Sequence, residues 1–176
     1  MADVTVIGGG LAGCEAAWQL AEAGFSVQLL EMKPVQYTPA HHYEGLAELV
    51  CSNSLKADRI NSAAGLLKAE MTRLGSLLMQ CAQKSAVAAG GALAVDRDVF
   101  SAAVTEMVEK HPNITVHREE VTALDESAPV LVASGPLTEG ALADAVAGLT
   151  GDHRLSFFDA VAPIVTAESL DYGKVF

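Results

Sequence analysis

No cluster of lysine or arginine occurs anywhere in this sequence, and its 11 basic residues are outnumbered by 22 acidic ones, for a formal net charge of -11. A surface that grips nucleic acid unaided needs a basic patch, because neutralising phosphates supplies most of the affinity. If RNA is a partner, most of the grip is expected outside these 176 residues. Cysteine is nearly as scarce. Cys14, Cys51 and Cys81 are odd in number and form no C-x-x-C pair. That excludes a disulfide framework and a zinc ribbon, and it fits a reducing cytoplasm. Aromatic residues make up 5% of the chain against 51% hydrophobic, which suits an Ala/Leu/Val-rich α/β protein better than a β-sandwich. No apolar run reaches membrane-spanning length, and no basic n-region with an apolar h-region opens the chain. A soluble protein without a secretory signal or membrane contact is therefore expected. Internal repeats and low-complexity tracts are also missing.

What is present begins at once. Residues 3–7 read as a short buried strand, followed by a glycine turn and a helix over about residues 11–22. Gly24 ends that helix, and residues 26–30 form a second strand finishing at Glu31. This βαβ unit over residues 3–31 opens a doubly wound parallel sheet. Residues 33–62 are polar, hold Pro34 and Pro39, and show no sustained period. A connection that long inside a compact domain is usually functional. From residue 63 to 84, Leu67, Met71, Leu74, Leu78 and Cys81 make one helical stripe, and Lys68, Glu70 and Arg73 are expected on its solvated face. Phe100, Ala103, Val104, Met107 and Val108 define another amphipathic helix, closed by His111-Pro112. Residues 114–117, 121–124 and 130–133 read as strands, the last entering the turn Ser134-Gly135-Pro136, and residues 141–149 as a weak helix.

Gly8, Gly10 and Gly13 form G-x-G-x-x-G between a strand and a helix, with Leu11 and Ala12 inside the motif. The first glycine permits the tight turn, the second lets backbone approach a pyrophosphate, and the third lets helix and strand pack closely. Backbone N–H groups and the positive end of the helix dipole then face the phosphates. With its strand, its helix and an acid ending the second strand, the motif reads as a dinucleotide loop rather than a structural turn. Glu31 would accept hydrogen bonds from an adenosine ribose and repel a 2′-phosphate, so the site suits FAD or NAD better than NADP.

Other candidates are weaker on their own. Cys51 by itself would more often be a small buried hydrophobe, although its polar neighbours Ser52, Asn53 and Ser54 make burial less natural. Cys14 and Cys81 sit in apolar helical patterns and belong to the core. His41 and His42 are adjacent and lack a spaced ligand set, so no metal is assigned; they read as a polar loop lining a cleft. Arg97 either serves dinucleotide phosphates or caps the following helix against Asp96 and Asp98.

Longer stretches carry a resemblance. "VDRDVFSAAVTEMVEKHPNITVHREEVTAL" followed by "APVLVASGP" resembles the two-dinucleotide-binding-domain flavoproteins, in which an "R..F" helix, a strand and an "ATG-P"-like turn follow the first βαβ. That resemblance implies FAD and places Gly135 beside it. "TPAHH" at residues 38–42, "ELVCSNSLKA" at 48–57, "AGGALAVDR" at 89–97 and "DAVAPIV" at 159–165, taken with the glycine loop, resemble the TrmFO family of folate- and FAD-dependent tRNA (uracil-5-)-methyltransferases. The related GidA/MnmG family shares the "GGG-AGCEAA" opening but is not expected to carry "ELVCSNS". The resemblance implies methylene transfer from methylenetetrahydrofolate, through reduced flavin, to C5 of the T-loop uridine, with NAD(P)H as electron source. It also implies that Cys51 is the family's cysteine near the flavin. Family members run well beyond this length. The expected fold is thus a Rossmann-like FAD-binding α/β fold, incomplete at the C-terminus, with residues 1–176 its N-terminal part. Such a segment alone is expected to leave tRNA unmethylated and to self-associate through uncovered apolar surface. Another FAD- or NAD-dependent oxidoreductase and a non-catalytic nucleotide-binding fragment are the alternatives.

Overall fold

The computed structural model describes residues 2–125 and 127–151, together with Leu170, Asp171 and Gly173. The "DAVAPIV" stretch lies outside the described residues. Strand β1 (Val4–Ile7), helix α1 (Leu11–Glu22) and strand β2 (Val27–Glu31) form the expected βαβ unit. There follow β3 (Ser54–Ala57), α2 (Ala63–Arg73), α3 (Leu77–Lys84), β4 (Ala86–Val87), β5 (Ala92–Val95), α4 (Arg97–Lys110), β6 (Ile114–Arg118), β7 (Val130–Val132) and α5 (Gly140–Thr150).

Two sheets result. The larger runs β6-β2-β1-β7 with every pair parallel, and the smaller runs β3-β5-β4, antiparallel. Val6 and Leu29 on the central strands are fully buried. Against them α1 lays Cys14, Ala17 and Ala21, and α4 lays Phe100, Val104 and Val108. Small residues on α1 let it approach the sheet closely, while α4 fills the space beside it with larger side chains. Burying Phe100 alone is worth roughly 2–3 kcal/mol.

Four sequence expectations need correction. The single stripe over residues 63–84 is two helices: Gly75 takes φ 75°, in the left-handed region, and the Ser76 hydroxyl accepts from Met79 N to start α3. Leu67 and Leu74, counted in that stripe, are exposed. Lys68 is buried rather than solvated, its ammonium donating to the carbonyls of Ala57 and Ala64 at 2.7 and 3.1 Å. Residues 121–124 form no strand; Glu119 N donates to Glu31 O, extending the β6–β2 ladder by one bond before the chain leaves the sheet. Within the polar stretch 33–62, residues Ser54–Ala57 pair with β5, because partial burial of Leu55 and main-chain bonding outweigh a weak local pattern.

Candidate functional site

A cavity of about 390 Å³ opens at the C-terminal ends of β1, β2 and β7. Strand β1 has β2 on one side and β7 on the other, and ligands of open parallel sheets sit in the crevice outside such strand ends. Gly8, Gly10, Leu11, Ala12, Glu31 and Gly135 all line it.

Each motif glycine does a different thing. Gly8 takes φ 103° and donates to Leu30 O at 2.8 Å, and a Cβ there would stand 2.7 Å from Ala133 O. Gly13 faces away from the cavity: a Cβ would stand 1.8 Å from Gly8 O, so only glycine lets α1 sit this close to the loop. Gly10 is the N-cap of α1 and offers no capping side chain, and a Cβ added to it meets nothing within 4 Å. The loop therefore leaves open space and uncapped N–H groups at the positive end of a twelve-residue helix, the environment that a pyrophosphate requires.

Glu31, at the end of β2, is buried and held from two sides. Its Oε2 accepts from Gly9 N at 2.6 Å and its Oε1 from Lys33 N at 2.9 Å. The carboxylate and the glycine loop are thereby one rigid unit.

Tied to this unit is a strap within the polar stretch 33–62 that the sequence marked as a cleft loop, though the bonds that hold it were not legible there. Lys33 is buried, and its Nζ donates to Gly45 O at 2.9 Å and pairs with Glu48 Oε2 at 3.1 Å. Glu48 Oε1 accepts from His42 N and Tyr43 N at 2.8 and 3.1 Å. Arg118 Nη1 donates to the carbonyls of Lys33 and Glu44, and Ala47 N donates to Gly9 O. No local pattern marks these residues, whose partners lie up to 85 positions away.

Burial pushes the Glu48 carboxyl upward, but hydrogen bonds from His42 and Lys33 and the charge on Lys33 outweigh it, leaving the group below the usual 4.5. A depressed carboxylate stabilises the fold above its unfolded value and stops doing so as pH falls through its folded value. Thermal melts should therefore show a stability loss below about pH 4.5 that a Glu48→Gln variant lacks. The variant should also be less stable at pH 7 by about 3 kcal/mol, because Lys33 is left buried without its counter-charge. Identical pH profiles for the two proteins would refute this role.

The remaining candidates are spread out. His41 lines the cavity with Nδ1 2.6 Å from Thr38 Oγ1, and burial and the charge on Lys33 hold its imidazole below the usual value. Cys14 is fully buried, its Sγ 3.2 Å from Gly9 O, and burial pushes its thiol up to about 12. Burial likewise raises the Cys81 thiol. Cys51 alone of the three is exposed; Val50 before it lines the cavity, but Cys51 itself does not. Arg97 is exposed at the first turn of α4 and lies outside the cavity, while the Asp96 side chain caps that helix, accepting from Asp98 N and Val99 N. Among the described residues, no group of three His, Cys, Asp or Glu is placed to hold a metal ion, and no helix is long and apolar enough to cross a membrane.

Comparison with known proteins extends this picture. The family described as glucose inhibited division protein A matches residues 3–176. A methylenetetrahydrofolate–tRNA-(uracil-5-)-methyltransferase TrmFO from Geobacter sp. (strain M21) is 59% identical over 174 residues, covering 99% of this chain and 40% of the relative. The protein of the same name from Geobacter sulfurreducens is 60% identical over 173 residues, covering 98% of this chain and 40% of the relative. This chain thus spans about 40% of the length of those relatives. Among solved structures, Aquifex aeolicus GidA shares the fold at a TM-score of 0.56 and 19% identity, covering 70% of this chain and 20% of that one.

Proposed function

The chain belongs to the glucose inhibited division protein A family, and on that premise we propose that it forms the FAD-binding N-terminal part of a methylenetetrahydrofolate–tRNA-(uracil-5-)-methyltransferase. The observation that carries the cofactor assignment is the rigid unit of Glu31 and the glycine loop lining one cavity. The residues fit the group. Gly8 and Gly10 leave room for a pyrophosphate, the first-turn N–H groups at Leu11 and Ala12 supply donors, and Glu31 accepts from the adenosine ribose. Gly13 serves by close packing, and Gly135 lines the same cavity from the turn after β7.

FAD, when bound, supplies the one-carbon and electron-transfer chemistry that side chains lack. The protein's own share is to hold the dinucleotide, to keep water from its phosphates with the strap of residues 33–48, and to present Cys51 from that strap's end. Methylenetetrahydrofolate is the one-carbon source, NAD(P)H the reductant, and the tRNA T-arm the acceptor, in the cytoplasm. The reading of the reaction is supported by identity near 60% with proteins that carry this name.

The assignment of Glu31 is tested by flavin titration of the full-length enzyme. Loss of a charge-assisted hydrogen bond costs roughly 1.5–3 kcal/mol, so Glu31→Ala should weaken FAD about ten- to a hundredfold. Unchanged affinity would remove Glu31 from the site.

A further inference from the structure

Charge is unevenly shared along the chain. Residues 51–98 hold six of the 11 Lys and Arg but four of the 22 Asp and Glu, so five cations and eighteen anions are left for all the rest. The cations of the larger sheet and its helices are spoken for: Lys33, Lys110 and Arg118 each pair with a carboxylate. Lys56, Arg59 and Arg97 are exposed and take part in no ion pair among the described residues.

The antiparallel β3–β5 ribbon spaces these three along its length, with Cys51 three residues before β3. Ser54 is opposite Ala94, Val95 N donates to Asn53 O, and Asn53 Nδ2 donates back to Val95 O, both at 3.0 Å. Beyond that pair the chain leaves the ribbon on both sides: Arg97 opens α4 directly after the Asp96 cap, and Cys51 lies in the bend that leads into β3. At the other end Asp58 N donates to Gly91 O, and the Arg59 guanidinium lies so close to Gly91 that a Cβ there would stand 3.0 Å from Nε. Lys56 stands between them, at a register shift between Ser54 and Ala57, with φ 67°. A lysine in the left-handed region is strained where glycine would be relaxed, and bulges serve to re-aim a side chain. Five residue steps, Asn53 to Asp58, separate the two ends, at most roughly 17 Å. Of the neighbouring acids, Asp96 is turned into the α4 cap, which leaves Asp58 and Asp98 against three cations.

Resting on the methyltransferase reading, we propose that this ribbon is an RNA-contact surface, with Lys56, Arg59 and Arg97 meeting successive phosphates of the T-arm and leading the strand to Cys51. An extended row of separated cations suits a phosphate backbone, whereas a single small anion would need them converged. The contact is modest beside the chain's charge of -11, so it orients the RNA more than it supplies affinity.

The test uses the full-length enzyme and a T-arm RNA hairpin, with binding followed by fluorescence anisotropy across a salt series. Lys56→Gly combined with Arg59→Gln should weaken RNA at least threefold and flatten the log K against log salt slope by about 1.5, two phosphate contacts being lost. The melting temperature should hold or rise, because glycine relieves the backbone at position 56, and FAD affinity should not move. Arg97→Gln should take a further share of the slope. Unchanged RNA affinity and slope in the variants would overturn the surface, as would a raised KM for methylenetetrahydrofolate with RNA binding intact. If Arg97→Gln releases flavin and spares RNA, that residue leaves the row and belongs to the cofactor. A parent enzyme that holds FAD but fails to bind the hairpin would instead defeat the methyltransferase reading itself.

Discussion

Replacing Cys51 by alanine in the full-length enzyme is expected to reduce tRNA methylation by at least about a hundredfold, the scale on which positioned reacting groups act. The melting temperature should stay within about 2 °C of the parent, because truncating an exposed side chain opens no cavity. Cys14 supplies the contrast. It is fully buried, its thiol is pushed up to about 12, and it packs under the glycine loop. A Cys14→Ala variant should therefore lose stability before it loses rate. The assay is 5-methyluridine formation on a T-arm transcript beside thermal melts of both variants. Parental turnover in Cys51→Ala would remove the residue from the reaction, and a large fall in melting temperature would make its role structural.

The glycine loop yields the second large effect, and here two neighbouring substitutions should part company. In Gly13→Ala the new methyl would stand 1.8 Å from Gly8 O, which is backbone and cannot rotate aside. Helix α1 must move off the loop, at a cost of about 3 kcal/mol or more. For a chain of this size that is roughly 6–12 °C in melting temperature, and flavin binding should be lost with the geometry. Gly10 has φ -75°, which alanine accepts readily, and its added methyl meets no atom within 4 Å. Gly10→Ala should melt like the parent yet bind FAD more than tenfold less tightly, since the methyl occupies the space left for phosphate. Thermal melts without flavin, followed by flavin titration, separate the two. Equal stability losses would mean that Gly10 is a packing residue, and full flavin binding by Gly10→Ala would place the pyrophosphate elsewhere.

By itself the sequence determined those features whose causes lie within a few residues of each other. The β1–α1–β2 unit is such a feature: alternation and glycine stereochemistry are local, and helix α1 runs over the residues expected of it. Helix α4 is another, its apolar spacing readable within a few turns, although its cap is Asp96 and not Arg97, which the sequence had offered for it. The end of β2 at Glu31 also followed from local pattern. What the tertiary structure alone decided depends on partners distant in the chain. Lys68 looks like a surface residue in any helical projection, yet the carbonyl of Ala57 draws its ammonium inward. Lys33, Glu48 and Arg118 carry no periodic signal, and their bonds to one another and to the loop carbonyls span 12 to 85 positions. The row Lys56, Arg59 and Arg97 exists only because β3 pairs with β5 in one register, which brings Asn53 beside Val95 although 42 positions separate them in the sequence. Backbone pairing across a ribbon obeys geometry between strands, and no window along a single strand contains it.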